Sequence, residues 1–127
     1  MAKILVVDDE LSVRLVIQCL LNEKGYETAE ASNGLAALKL LETTLFDLII
    51  TDLRMPDMDG MNFLREAKKL EASPPVIILT AYTSIETAME AMKSGVFNYL
   101  SKPFKANDLL SAVKNALDAG KSKTSST

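Results

Sequence analysis

The sequence predicts a single α/β domain in which helices cover both faces of a parallel β-sheet. Short, nearly continuous apolar segments alternate with amphipathic segments of helical period along the 127 residues. Strands that are buried on both faces have such continuous apolar sequences, and strand–helix alternation is typical of parallel sheets with right-handed crossovers. A chain of this length suits one domain and can bury about two thirds of its surface on folding.

Five strands are predicted from runs of aliphatic and β-branched residues. The segments KILVV and VIILT consist almost entirely of such residues, as expected of buried strands, whereas YETAEA is weaker and is expected nearer the edge of the sheet. In chain order, the predicted strands are residues 3–7, 26–31, 45–51, 76–80 and 96–101.

The helices between the strands are predicted from apolar residues at helical spacing. Lys24-Gly25 ends the first helix, Asn33-Gly34 precedes the second, and Pro74-Pro75 prevents continuation of the third, residues 61–70. The apolar positions of the first helix are Val13, Val16, Ile17, Leu20 and Leu21. Those of the second helix are Leu35, Leu38 and Leu41, and those of the fifth are Leu109, Leu110, Val113, Ala116 and Leu117.

The fourth helix has the clearest start signal, because Thr83 and Glu86 form a T-x-x-E capping box. An apolar stripe follows, which we interpret as a face packed against the core. The stripe consists of Ile85, Ala88, Met89 and Met92. Gly95 fits a left-handed stop at the end of this helix, and Gly120 is expected to end the fifth. The folded domain is therefore predicted to span residues 1–120, with residues 121–127 as a flexible polar tail or the start of a linker.

The composition excludes several classes of function. A hydrophobic share of 48%, a charged share of 24% and a net charge of −3 are ordinary for a soluble globular protein. No Lys/Arg run is dense enough for direct nucleic-acid binding, and no apolar run is long enough to span a membrane. The single cysteine, Cys19, excludes an intrachain disulfide and favours a reducing, cytoplasmic setting. The absence of histidine excludes histidine-based catalysis, histidine metal ligands and phosphohistidine chemistry within this chain.

The candidate functional residues lie at the ends of four predicted strands. Asp8 and Asp9 follow the first strand, Asp52 the third and Lys102 the fifth, while Thr80 closes the fourth. Because ligand sites in such sheets lie at the carboxyl ends of the strands, we expect these side chains to converge on one edge. Each alone has an ordinary interpretation as a helix cap, a turn former or a surface residue. Their joint placement is what indicates a site.

Clustered carboxylates suit Mg²⁺ (or Mn²⁺), hard cations that prefer oxygen ligands. A bound ion would offset the repulsion among the adjacent acidic residues Asp8, Asp9 and Glu10. An aspartate beside such an ion can attack phosphorus and form an acyl phosphate. That transfer needs mainly positioning and charge neutralisation, to which Lys102 would contribute.

The chain resembles the receiver domain of two-component response regulators over residues 3 to 119. The resemblance rests on four stretches of sequence, ILVVDDE, DLIITDLRMPDMDG, VIILTAY and GVFNYLSKPF. It implies a flavodoxin-like (CheY-like) doubly wound sheet of five parallel strands in the order 2-1-3-4-5, with five helices. The segment TAYTSIETAMEAMKSGVFNYLSKPF is most similar to receivers of σ54-dependent (NtrC-type) transcription activators.

The resemblance also implies roles for individual residues. Asp52 would be the phosphoacceptor, Lys102 would contact the phosphoryl group, and Thr80 and Tyr99 would be the switch residues. Mg²⁺ would be bound directly by Asp9 and Asp52, through water by Asp8, and by the backbone carbonyl of Arg54. Positions that adjust the phosphoryl lifetime in the family correspond to Arg54, Ala81 and Tyr82 here.

Two local features near Lys102 follow from the same resemblance. Lys102-Pro103 is expected to be a cis peptide, in a tight turn that aims Lys102 back across the edge of the sheet. Lys105 stands where the family commonly has an acidic or hydroxyl residue after Lys-Pro-Phe, which leaves the cap of the last helix undecided.

The partner implied by the resemblance is a sensor histidine kinase whose phosphohistidine is the phosphoryl donor. An output domain or effector protein, with transcription regulation as the expected output in a bacterial cell, would read the face formed by the fourth helix, fifth strand and fifth helix. A phosphorylation-dependent homodimer is also compatible with the resemblance. The domain would not be an enzyme acting on separate substrates, although it would catalyse its own phosphorylation and dephosphorylation.

Two alternatives come from other functional classes. A haloacid-dehalogenase-like phosphatase also uses an aspartyl phosphate and Mg²⁺, but it has an Asp-x-Asp pair after the first strand, where this chain has adjacent acids. A nucleotide- or flavin-binding module on the same architecture is disfavoured because neither G-x-G-x-x-G after the first strand nor G-x-x-x-x-G-K-[ST] is present.

Overall fold

Five helices and five parallel strands alternate along the chain, which confirms the predicted fold class. The computed structural model describes residues 2–55, 58, 60–70, 73–81 and 84–125. The strands are β1 Lys3–Val7, β2 Glu27–Ala31, β3 Leu48–Thr51, β4 Val76–Thr80 and β5 Asn98–Ser101. The helices are α1 Leu11–Glu23, α2 Gly34–Thr43, α3 Gly60–Lys68, α4 Ile85–Lys93 and α5 Ala106–Ser125.

The strand order in the sheet is β2-β1-β3-β4-β5, as the resemblance implied. The three inner strands are the most apolar: every residue of β3 and β4 is buried, as are the last four residues of β1. The weaker strand β2 lies at one edge of the sheet, as predicted, and has a mixed burial pattern. The other edge strand, β5, is partly exposed for the same reason.

Alternating side chains of the inner strands pack into two hydrophobic cores, one on each face of the sheet. On one face Leu5, Ile49 and Ile78 pack with buried residues of α2, α3 and α4. On the other face Ile50 and Ile77 pack with buried residues of α1 and α5. Because successive strand residues point to opposite faces, both cores hold the same strands in place. The carboxyl ends of those strands are therefore rigidly positioned.

The packing prediction for α4 is wrong. In α4 the predicted inward stripe is largely exposed: Ile85 is 80% exposed, Met89 56% and Met92 55%. The residue of α4 that is fully buried is Ala91, so the helix meets the sheet through a small side chain. In α1, which the spacing predicted correctly as a helix, Val16 is half exposed, whereas Ile17 and Leu21 are buried. Helical spacing identifies residues that share a face, but it does not say which face meets the sheet.

Two predictions of helix ends also differ from the structure. The N-cap of α4 is Ser84, whose side chain accepts a hydrogen bond from the Thr87 backbone N–H; Thr83 lies outside the described residues. Helix α5 continues past Gly120 to Ser125. A glycine inside a helix costs only about 1 kcal/mol relative to alanine, so it need not end one. The functional boundary at residue 120 remains a prediction.

Other local predictions are confirmed. Gly95, after α4, has a φ of 86° and is the left-handed stop expected there, and Gly25 after α1 has a φ of 88°. Lys102-Pro103 is a cis peptide. Over the described residues, no helix combines the length and apolar content needed to cross a membrane.

Candidate functional site

The predicted site residues meet at the carboxyl edge of the sheet. Val7 at the end of β1 is paired with Thr51 at the end of β3, so the residues that follow them, Asp8 and Asp52, are neighbours. Thr80 at the end of β4 is paired with Ser101, which precedes Lys102. The buried strands therefore bring together groups that are far apart in sequence. We call Asp8, Asp9, Glu10, Asp52, Thr80 and Lys102 the acidic edge.

The ammonium of Lys102 lies between the two inner carboxylates of the acidic edge. Its Nζ donates to Asp8 Oδ2 at 2.7 Å and to Asp52 Oδ2 at 2.8 Å. All three side chains are largely buried, with exposed fractions of 14% for Lys102, 3% for Asp8 and 9% for Asp52. Two carboxylates so close to each other repel strongly in a partly dehydrated site. Lys102 offsets that repulsion.

The second oxygen of each carboxylate is bound by backbone N–H groups. Asp8 Oδ1 accepts from the Glu10 N–H at 2.9 Å. Asp52 Oδ1 accepts from the Leu53 N–H at 2.6 Å and the Arg54 N–H at 3.3 Å. Since each carboxylate is held by the backbone at one oxygen and by Lys102 at the other, its orientation is fixed.

These contacts shift the ionisation of Asp52 and Lys102 in opposite directions. Burial would raise the pKa of Asp52, but hydrogen bonds from Lys102 and Thr80 and the charge of Lys102 outweigh it and hold the pKa below its usual value. Burial would lower the pKa of Lys102, but its bonds to Asp52 and Asp8 raise it overall. Asp52 is therefore an ionised carboxylate, and Lys102 is an ammonium.

Asp8 differs from Asp52 although it shares the same cation. Burial raises its pKa more than the bonds from Lys102 and the Glu10 N–H lower it, and the charge of Asp52 raises it further. The single ammonium of Lys102 is shared between the two carboxylates. An additional cation at the acidic edge would favour the ionised form of Asp8.

The residues present fit a hard metal ion. Carboxylate oxygens of Asp8, Asp9 and Glu10 lie within 4.8 Å of one another, and the side chains of Asp9 and Glu10 are exposed. An oxygen-only donor set of this kind suits Mg²⁺ or Mn²⁺. Glu10 was not assigned to the metal from the sequence, although it is adjacent to the two residues that were. Asp52 adjoins this group through Lys102.

The two residues predicted to act as a switch lie on β4 and β5, on the same side of β3. Thr80 is fully buried, and its side chain takes part in lowering the pKa of Asp52. Tyr99 of β5 is paired with Ile78 of β4 and is partly buried against the core on the α2–α3–α4 side. Burial and the charge of Asp52 both raise the pKa of Tyr99.

The positions predicted to adjust the phosphoryl lifetime are only partly described. Arg54 and Ala81 are exposed beside the acidic edge, whereas Tyr82 lies outside the described residues. The Arg54 N–H contacts Asp52. The role of the Arg54 carbonyl as a metal ligand stays a prediction.

Two residues that support the site were not identified from the sequence. Gly60 packs directly behind Asp52: a Cβ at this position would lie 2.5 Å from the Asp52 carbonyl oxygen and 2.5 Å from the Leu53 Cα. Arg14 of α1 donates from one guanidinium N–H to the carbonyl of Asp8 at 2.7 Å. The Asp-Gly pair at 59–60 was a usable signal for the first. A long side chain reaching a backbone oxygen has no such signal.

Comparison with known proteins identifies the family. The chain matches the family described as "Response regulator receiver domain" over residues 4–114. A transcriptional regulatory protein ZraR from Klebsiella oxytoca is 46% identical over 114 residues, which are 90% of this chain and 26% of that protein. Sporulation initiation phosphotransferase F from Bacillus subtilis (strain 168) is 36% identical over 115 residues, covering 91% of this chain and 93% of that protein.

A solved structure shows the same relationship. The response regulator receiver domain protein from Clostridium thermocellum superposes with a TM-score of 0.88 at 42% identity, over 95% of this chain and 98% of that one. This chain spans about a quarter of the length of the transcriptional regulators that it matches. The match over residues 4–114, the strand order and the acidic edge agree, and the chain belongs to the receiver domain family of two-component response regulators.

Proposed function

We propose that Asp52 accepts a phosphoryl group from the phosphohistidine of a sensor histidine kinase. The observation that carries this proposal is the placement of an ionised, backbone-held Asp52 carboxylate beside Lys102 at the end of the central strand. A carboxylate oxygen of Asp52 attacks phosphorus, the bond from phosphorus to the donor nitrogen breaks, and the imidazole leaves. The product is an acyl phosphate on Asp52.

The acidic edge would bind Mg²⁺ or Mn²⁺ through the carboxylates of Asp9 and Asp52 and the Arg54 carbonyl, with Asp8 acting through water. When bound, the ion supplies positive charge that neutralises phosphoryl oxygens. The role of Lys102 is to hold Asp52 ionised before transfer and to donate to a phosphoryl oxygen afterwards. Its ammonium has three N–H donors and already contacts Asp52 Oδ2 at 2.8 Å. Water attacking the same phosphorus later restores the free carboxylate.

The signal would pass from Asp52 to the face formed by α4, β5 and α5. A phosphoryl group places new acceptor oxygens beside Thr80, which is buried next to Asp52. A hydrogen bond from its hydroxyl to a charged acceptor is worth about 1.5–3 kcal/mol, enough to shift a two-state population substantially. Tyr99, whose pKa already responds to the Asp52 charge, would then turn further inward.

The exposed apolar side chains of α4 support this face as the output surface. Ile85, Met89 and Met92 are each more than half exposed, and exposed apolar patches mark interaction sites. An output domain, an effector protein or a second copy of the chain would bind there in the phosphorylated state. Regulation of transcription is the output we favour, because several relatives are named as transcriptional regulators.

Phosphorylation is tested by incubating the protein with acetyl phosphate and Mg²⁺ and measuring its intact mass. The parent is expected to gain one phosphoryl group, and Asp52→Asn none. Asp118→Asn is the matched control, because Asp118 is an exposed aspartate of α5. Labelling of Asp52→Asn at the parent's rate would refute the assignment. Turnover of generic phosphate esters by the parent would favour the phosphatase alternative.

The switch is tested with the phosphoryl mimic beryllofluoride. Backbone amide chemical shifts are expected to change around Asp52 and also over residues 84 to 110. Changes confined to the residues beside Asp52 would contradict the proposed output face.

A further inference from the structure

We propose that Arg14 is a positioning residue for the metal site of the acidic edge. Arg14 lies on α1, with a side chain that is only 12% exposed. Its Nε donates to Glu30 Oε1 on β2 at 2.6 Å, and one terminal N–H donates to the Asp8 carbonyl at 2.7 Å. The guanidinium thus connects α1 and the neighbouring strand to the loop that carries the acidic residues. This inference rests on the proposed function of that loop in binding Mg²⁺.

The bond to the Asp8 carbonyl restrains the backbone from which the Asp9 side chain extends. The peptide group between the two residues is planar, so fixing the Asp8 carbonyl oxygen also fixes the N–H and Cα of Asp9. Asp9 itself has an exposed side chain. The position of the Cα that carries the carboxylate expected to bind the metal directly is therefore restrained by Arg14.

Arg14 completes the set of contacts around Asp8. The Asp8 N–H donates to the Ala31 carbonyl at 3.2 Å, and its two carboxylate oxygens accept from the Glu10 N–H and from Lys102. With Arg14 on the carbonyl, every polar group of Asp8 is held by a different part of the chain. Partners of metal-binding residues of this kind are important for affinity even though they do not touch the metal.

Only a side chain with several N–H donors in a fixed arrangement, such as the guanidinium of arginine, can make both contacts of Arg14. Its N–H groups are arranged in a rigid plane, so it can donate to Glu30 and Asp8 at once. A lysine keeps the positive charge but offers one compact ammonium on a flexible stem. Arg14→Lys therefore separates the effect of charge from the effect of position.

Charge alone would have the opposite effect on metal affinity. A cation beside the acidic loop repels Mg²⁺, although Glu30 partly compensates for it. If Arg14 acted only through its charge, the neutral variant Arg14→Met would bind Mg²⁺ more tightly than the parent. If Arg14 positions the loop, the same variant binds Mg²⁺ more weakly. The two explanations thus differ in the sign of the change.

The test measures the Mg²⁺ dissociation constant by isothermal titration calorimetry and, separately, the stability of the metal-free protein by urea unfolding. Arg14→Met and Arg14→Lys are each expected to raise the dissociation constant about tenfold. Glu30→Gln keeps an acceptor for Arg14 and should change it by less than about threefold. Lys39→Met removes an exposed positive charge of α2 and is the charge-matched control, with a dissociation constant equal to that of the parent.

Phosphorylation by acetyl phosphate provides a second readout. The Arg14 variants are expected to need more Mg²⁺ for half-maximal rate and to reach the parent's rate at saturating Mg²⁺. Lower metal-free stability with an unchanged dissociation constant would overturn the inference, because Arg14 would then only join α1 to β2. Tighter binding by Arg14→Met would overturn it in favour of charge. A parent that binds no Mg²⁺ would overturn the proposed function as well.

Discussion

The acidic edge and the outer face of α4 each reverse the usual distribution of side chains. At the edge, Asp8 and Asp52 are buried charges, and Thr80 is a fully buried hydroxyl. On α4, Ile85, Met89 and Met92 are exposed apolar side chains. Buried polar groups and exposed apolar patches are the informative exceptions to the rule that apolar residues lie inside. Both regions therefore point to function.

The two regions differ in how the fold compensates for the exception. At the edge, each buried charge has partners from the backbone and from Lys102, so its position depends on the packing of the strands beneath it. The α4 side chains extend into solvent, and the helix meets the sheet through Ala91. We therefore expect the edge and its supporting strands to be sensitive to substitution and the α4 face to be tolerant.

The largest expected effect contrasts two isoleucines. Ile78 of β4 is fully buried, two residues before Thr80, whereas Ile85 begins α4 and is 80% exposed. Ile78→Ala should lower the free energy of unfolding by about 2–5 kcal/mol, because it leaves a cavity in the core. Ile85→Ala should change it by less than about 0.5 kcal/mol. Chemical denaturation measures the free energy of unfolding of both variants. A similar decrease in the two would contradict the proposed difference between the strands beneath the acidic edge and the α4 face.

A smaller effect is expected from two glycines. A Cβ on Gly60 would lie 2.5 Å from the backbone of Asp52 and Leu53, whereas the atoms nearest to a Cβ on Gly34 belong to the side chain of Met58, at 3.1 Å. Backbone cannot give way as a methionine side chain can, so Gly60→Ala should cost about 1–3 kcal/mol. Gly34→Ala should cost less. Denaturation midpoints compare them, and equal costs would show that the backbone behind Asp52 is not rigid.

Metal binding is expected to stabilise the edge but not to depend on α4. By mass action, Mg²⁺ at ten times its dissociation constant adds about 1.4 kcal/mol to the free energy of unfolding. Melting temperatures with Mg²⁺ and with a chelator should therefore differ for the parent and for Met89→Gln, an exposed α4 variant. For Asp9→Ala, the melting temperature with Mg²⁺ should equal the melting temperature with a chelator. An unchanged melting temperature of the parent in saturating Mg²⁺ would exclude a metal site in the native state.

The difference between the acidic edge and the outer face of α4 explains which features can be predicted from the sequence. Strands β1, β3 and β4 are nearly continuous apolar runs that are buried in the structure, and a buried strand has one clear end. The residue after that end is consequently placed by the strand itself. For this reason the pattern of apolar runs is sufficient to predict that Asp8 and Asp52 lie together. Lys102 follows β5, a partly exposed edge strand that is less clearly marked.

The features that could not be predicted depend on tertiary contacts. The period of α4 correctly indicates an apolar face, but nothing in it says that Ala91 is the residue that meets the sheet. The bond from Arg14 to the Asp8 carbonyl depends on the packing of α1 beside β2. Local sequence carries little information about contacts of either kind.

The smallest expected effect is a change in the titration of Tyr99, the β5 residue through which we propose that the acidic edge acts on the face formed by α4, β5 and α5. Burial raises the pKa of Tyr99 first, and the charge of Asp52 raises it further. Because the folded-state pKa is the higher one, this tyrosine leaves stability unchanged below the ordinary tyrosine value of about 10 and lowers it as the pH rises above that value. Asp52→Asn removes the charge but not the burial, so the pKa of Tyr99 should fall part of the way towards its ordinary value.

Phenolate absorbance measures the titration of Tyr99, with Tyr99→Phe to assign the signal and Ile85→Ala as the α4 control. An identical Tyr99 pKa in the parent and in Asp52→Asn would show that the two regions are not electrostatically coupled.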